Sequence, residues 1–255
     1  MRAPSEQFDR FWASDWALTT LLIFLCTTIF VLRPLETLVY NVRLIASFVF
    51  SLILISGLVA VSHSRRTAMV FGAVAVVSVM IRWTRYAVYG EEFISFEAVA
   101  VIASCGMLAG IVLMQVFREG PVTLQRIQGA IAAYLLIALM FAAAFTWVAL
   151  LIPNAFSGPA PTPAEQHDVV QRFIYFSFVT LTTTGYGDIT PQAPLARSLA
   201  MFEALIGQMF PSILLARLVS LELWYRQRRF EREQAALDRE ELAREVARQL
   251  KGSER

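Results

Sequence analysis

Charge is scarce in this chain. Only 16% of its 255 residues are Asp, Glu, Lys or Arg, against roughly 25% in a soluble domain, while 57% are hydrophobic. That balance excludes an ordinary soluble domain and predicts a membrane protein. Cysteine is nearly missing: Cys26 and Cys105 each lie inside an apolar run, which excludes a disulfide framework and a thiolate metal cluster. Histidine is limited to His63 and His167, both at the edges of apolar stretches, where a surface role needs no special chemistry. With no paired acid and base, no metal-ligand cluster and no phosphate loop, the residues predict neither an enzyme nor a bound cofactor.

The charge that is present is unevenly placed: sparse up to about Ser220 and dense afterwards, the pattern of a bilayer part followed by a water-facing tail. The first apolar run is followed by no small-residue cleavage site, so it is expected to stay in the mature protein. A span needs about 20 mainly apolar residues. Six stretches qualify, from about Trp16 to Val31, Leu44 to Val61, Thr67 to Val88, Phe93 to Phe117, Ile127 to Ile152 and Pro194 to Leu218. Positive flanks collect on the cytoplasmic side. Arg2 and Arg10, Arg65 and Arg66, Arg118 and Arg126, and Arg226, Arg228 and Arg229 then share that side. Both termini are expected to be cytoplasmic, in the cell's plasma membrane. Arg33, Arg43, Arg82 and Arg85 fall on the other side, accompanied by Glu36, Glu91 and Glu92.

Between the fifth and sixth spans, "PNAFSGPAPTPAEQHDVV" reads as an extracellular loop. An aromatic run of about ten residues follows from Phe173, too short to cross, and then "TLTTTGYGD", Thr180 to Asp188. A short apolar segment between two full spans predicts a re-entrant element, and irregular backbone at that depth is tolerated only where protein buries it or it lines a water-filled path.

The residue types suit an ion path. A bare cation needs its hydration shell replaced by oxygens, and successive backbone carbonyls can supply them if alternate residues leave the negative-φ region, which glycine does cheaply. Gly185 and Gly187 have that spacing. Thr183 can add a hydroxyl oxygen, Tyr186 can wedge outward against aromatics, and Asp188 can be tied back to the short helix, with Tyr175 as its donor.

"TTTGYGD" is similar to the TVGYGD selectivity filter of tetrameric potassium channels, the standard carbonyl filter. Thr184 stands where that family usually has valine, and Gly207 where it has a hinge glycine. The order helix, pore helix, filter, helix matches from about Ile127 to Leu218. The resemblance implies that Thr183, Thr184, Gly185 and Tyr186 coordinate K+, the permeant ion rather than a cofactor. Gly187, Asp188, Tyr175, Thr182 and Glu203 are expected to support the filter, Glu203 through Ser177 or Thr182. One such segment cannot ring an ion, so several chains are needed, and the resemblance implies a homotetramer in the lipid bilayer.

The expected fold is therefore an all-α membrane protein of six transmembrane helices, a re-entrant pore helix and a selectivity filter, followed by a cytoplasmic helix. Residues 1–15 form an interfacial segment, 16–120 a four-helix sensor-like bundle, 121–221 the pore domain and 222–255 the tail. In the voltage-gated branch the fourth helix carries spaced arginines that move in the field, yet "FISFEAVAVIASCGMLAGIVLMQVF" has none. Steep voltage gating is not expected, and the bundle reads as a structural collar. Arg82 and Arg85 read as interfacial snorkels and Glu97 as solvated at a helix end. Gly207 and Pro211 should interrupt the sixth helix, Pro211 as a kink that swings the helix end or as a fixed bend, with Leu215 and Val219 as a hydrophobic gate. In the tail, Glu240 precedes Arg244 at helical spacing, and Leu223, Phe230 and Leu237 recur every seven residues. The tail is a coiled coil or a solvated helix. It is too short for a nucleotide-binding or calcium-sensing domain and too mixed in charge for nucleic acid. The rival readings are a non-conducting or regulatory channel subunit and, from another class, a coupled cation transporter.

Overall fold

A computed structural model describes residues 18–32, 35, 42–61, 65–88, 93–117, 123–158 and 169–253. The segment 1–15, His63, Arg118 and His167 lie outside the described residues, as do Arg33, Glu36, Glu91 and Glu92. For Arg43, Arg65, Arg66, Arg85, Leu237, Glu240 and Arg244 the backbone alone is described. Apolar runs become helices because in hydrocarbon each backbone N–H and C=O must be bonded within its own segment. The helices are α1 (Leu18–Leu32), α2 (Val42–Val61), α3 (Arg65–Val88), α4 (Phe93–Val116), α5 (Leu124–Leu151), α6 (Val169–Leu181) and α7 (Pro194–Ser253). Two short strands join them, β1 (Phe156–Ser157) and β2 (Thr190–Pro191).

This is an all-α membrane protein. Among the described residues, α3, α4, α5 and α7 contain apolar stretches long enough to cross, at Thr67–Thr84, Ile94–Val116, Leu124–Leu151 and Pro194–Ala235. The described apolar stretches Leu18–Leu32, Leu44–Leu58 and Val169–Leu181 are shorter. α5 is the hub. Its Leu136, Ala138 and Phe145 are fully enclosed and join one apolar core with Leu21 and Leu25 of α1, Ile53 and Leu54 of α2, Phe71 of α3, Leu108 and Val112 of α4, and Phe173, Phe176 and Leu181 of α6. Thr19 on α1 and Gln128 on α5 add a hydrogen bond of 2.7 Å across that core.

Two expectations are corrected by the packing. Arg82 and Glu97 do not sit in interfacial solvent: both are buried, with Arg82 Nη1 3.0 Å from Glu97 Oε1. Arg82 Nε also donates to Ser47 Oγ of α2 at 3.2 Å, and its guanidinium lies 4.7 Å from the centre of the Phe50 ring. A cavity of about 50 Å³ beside the pair is walled by Phe50 from α2, Thr146 from α5 and Ile174 from α6, so the pair faces the region where the bundle meets the short helix.

The second correction concerns α7, which Gly207 and Pro211 do not interrupt. It runs unbroken for 60 residues through both, joining the sixth span to the charged tail. At 1.5 Å per residue that is about 90 Å, three times the hydrocarbon thickness, so its C-terminal part must leave the bilayer. Pro211 removes one i→i−4 bond, the one to Gly207 O, and the turns on either side carry the helix past it.

Candidate functional site

The site is built around the C-terminal end of α6. Phe173, Ile174, Phe176, Ser177 and Leu181 recur at helical spacing and are buried against α5 and the loop, leaving Tyr175 on the open face. Phe156 of β1 packs on Phe173 and Phe176, with ring centres 4.8 and 5.5 Å away, and Phe145 of α5 lies 4.9 Å from Phe176. With 13 residues the helix is about 20 Å long, shorter than the roughly 30 Å hydrocarbon core of a bilayer.

Its ending sets the geometry of everything after it. The Thr183 amide donates to Thr180 O at 2.9 Å and the Thr184 amide to Val179 O at 3.0 Å, the paired bonds of a Schellman cap. Such a cap places one residue in the left-handed region, usually glycine. Here it is Thr183, at φ 58°. Gly185 at φ 57° and Gly187 at φ 79° follow, while Thr184 and Tyr186 stay at negative φ. Left-handed residues thus alternate through 183, 185 and 187, the alternation that carbonyls turned to one side require. The negative end of the α6 dipole is aimed at the start of this segment, which favours a cation there.

Thr182 to Asp188 are all exposed in the single chain, Tyr186 to 71%. Among the described residues Tyr186 meets no wedge of aromatics within its own chain. The Thr183 hydroxyl donates to Thr182 O at 2.7 Å, and the Thr182 hydroxyl donates to Phe178 O at 2.7 Å while lying 2.9 Å from Thr184 Oγ1. At the outer end Tyr175 donates to Asp188 Oδ2 at 2.8 Å, and the Ile189 amide donates to Asp188 Oδ1 at 3.0 Å. The Tyr175 hydroxyl, more than any other group, holds the Asp188 carboxyl below the usual carboxylate range.

Behind the segment, α5, α6 and α7 meet through polar atoms. Ser177 Oγ lies 2.8 Å from Ala138 O of α5 and 2.5 Å from Glu203 Oε1 of α7, and Ser177 and Glu203 are both fully enclosed. The Tyr134 hydroxyl donates to Leu181 O at 3.1 Å. Gly207, one turn after Glu203, presses its bare Cα against that same Leu181 carbonyl, which any Cβ would overlap. Pro211, Leu215 and Val219 lie farther along α7, all exposed in the single chain.

Three features escaped the sequence reading. The loop after α5 returns to the site as β1, pairing antiparallel with β2 in the register Phe156↔Pro191 and Ser157↔Thr190. Ser157 Oγ is 2.6 Å from Thr190 Oγ1, and Gln192 Nε2 donates to both hydroxyls. The left-handed Thr183 was legible only as the residue after a helix end whose position the sequence blurs. The Leu181–Gly207 contact carries no local signal, since a packing glycine and a flexible glycine look alike in sequence.

Comparison with known proteins points to a channel class of membrane protein rather than an enzyme. Residues 133–222, from mid-α5 into α7, match the ion channel family model Ion_trans_2. The chain is 41% identical over 91 residues to two pore potassium channel c of Oryza sativa subsp. japonica, covering 36% of this chain and 19% of that protein. It is 41% identical over 59 residues to two-pore potassium channel 2 of Arabidopsis thaliana (23% and 13%), and 35% identical over 63 residues to protein LctB of Bacillus caldotenax (24% and 46%). The chain thus spans less than half the length of each of these relatives. No solved structure matches it.

Proposed function

We propose that this chain is one subunit of a potassium-selective channel, in which four copies ring a pore and pass K+ passively. The observation that carries the reading is the alternation of left-handed residues at Thr183, Gly185 and Gly187, on a segment held by α6 at one end and by the Tyr175–Asp188 bond at the other. In it Thr183, Thr184, Gly185 and Tyr186 offer the coordinating oxygens. Gly187, Asp188, Tyr175, Thr182 and Glu203 hold the filter's shape.

The assembly is inferred from what one chain leaves open. The apolar window within Pro194–Ala235 is only 11% buried, whereas that within Leu124–Leu151 is 56% buried. Tyr186, Leu215 and Val219 face outward, available to neighbouring copies, with Leu215 and Val219 at the gate below Gly207 and Pro211. In this reading six helices cross the plasma membrane, α6 re-enters it, and residues 1–15 and 222–255 lie on the cytoplasmic side. Residues 16–120 act as a collar and 121–221 as the pore domain. The Arg82–Glu97 pair is neutral as a unit and α4 carries no Arg or Lys, so the bundle moves little net charge in the membrane field. Potassium flux into vesicles containing the purified chain tests the proposal.

A further inference from the structure

We infer that Glu203 is held as a neutral acid that keeps its proton and donates it in a hydrogen bond to Ser177 Oγ, pinning the pore-lining helix to the back of α6. The inference deepens the reading of Glu203 as filter support and rests on α6 being the pore helix.

The Ser177 hydroxyl has one proton and two close oxygens, Ala138 O at 2.8 Å and Glu203 Oε1 at 2.5 Å. Ala138 O is a backbone carbonyl and can only accept. If Glu203 were ionised it too could only accept, and one of these two contacts would bring oxygens together with no proton between them. The ionised form would also leave a full charge in a site with no solvent exposure, served by one hydroxyl, because Glu203 Oε2 has no partner. Burying a charge so poorly solvated is far more costly than burying a neutral acid whose carbonyl oxygen goes unbonded. A protonated Oε1 resolves every contact: Glu203 donates to Ser177, and Ser177 donates to Ala138 O. Among the described residues of α5 and α6, Tyr134 also lies near this junction, and its own proton is committed to Leu181 O.

Glu203 is thus a positioning residue. It joins α5, α6 and α7 one turn before Gly207 meets Leu181, the last residue of the helix that leads into Thr182.

Infrared difference spectra of the purified full chain at neutral pH, parent against Glu203→Gln, test the assignment without any ion flux. The parent should show a protonated-carboxyl C=O band that the variant lacks; a difference containing only carboxylate bands overturns the inference. Since Gln keeps a neutral donor at the same place, E203Q should hold the potassium-to-sodium permeability ratio within about twofold of the parent, while Glu203→Ala should lose it. A folded E203Q that loses the ratio contradicts the role. If E203Q does not assemble, Ser177→Ala carries the test: the band must shift as the acid loses its acceptor, and an unmoved band overturns the assignment. A band present in a protein that passes no potassium sinks the channel reading and leaves this one standing.

Discussion

The guanidinium of Arg82 on α3 sits 3.0 Å from the carboxylate of Glu97 on α4, and both side chains are buried. A buried pair is a poor source of net stability but a severe liability when halved, because the surviving charge is left without its partner. Arg82→Leu or Glu97→Gln alone should destabilise the chain by about 3–5 kcal/mol, and the double substitution by clearly less than the sum. Denaturation of the four proteins in a mutant cycle measures this; additive losses would contradict it.

The same pair bears on gating. With α4 free of Arg and Lys and Arg82 neutralised in place, conductance should vary only shallowly with voltage. Current recorded across a voltage ramp checks this, and a steep sigmoid would count against it.

Gly207 distinguishes contact from flexibility. If its role were only to bend, alanine would be tolerated with altered gating. Because a Cβ there overlaps the Leu181 carbonyl, Gly207→Ala should instead displace α6 and lower assembly as well as current. Size-exclusion profiles of the two proteins decide between them.

Gly185 should fail for a different reason. A Cβ at Gly185 meets nothing within 4 Å in its own chain, yet its φ of 57° costs an L-residue about 1–2 kcal/mol. Gly185→Ala should therefore fold and insert but lose selective conduction. Cation preference measured on the folded variant is the check; unchanged selectivity would contradict the carbonyl geometry.

External acid should act through Asp188. Its carboxyl is held low chiefly by the Tyr175 hydroxyl, so the folded filter favours the ionised form. That contribution is fully present above the unfolded carboxylate's value and is lost as pH falls through the lower folded value. Tyr175→Phe removes the donor and raises the folded value, so its current should fail at a higher external pH than the parent's. Coincident pH profiles would contradict the link.

How much of this was legible in the sequence depends on how far apart the interacting residues lie. Two glycines spaced by one residue after a threonine run marked the segment in which left-handed residues alternate, since backbone chemistry explains that pattern. Tyr175 and Asp188 were readable as partners because a short helix followed by a tight return leaves few donors in reach. Arg82 and Glu97 were not: each lies near a helix end, and only the packing of α3 on α4 turns two interfacial charges into one buried pair. Pro211 reads as an interruption in sequence, yet the helix continues for 42 residues beyond it, because one missing hydrogen bond does not end a helix already propagating. The return of β1 to Thr190 depends on contacts that sequence periodicity does not encode.

The reversal potential of the reconstituted full chain in opposed potassium and sodium gradients tests the central claim most directly. The account predicts a current that reverses near the potassium Nernst value, with no coupling ion required, and that loses this preference in Gly185→Ala. A reversal near zero, or one that follows sodium, in a chain that is folded and inserted would contradict it.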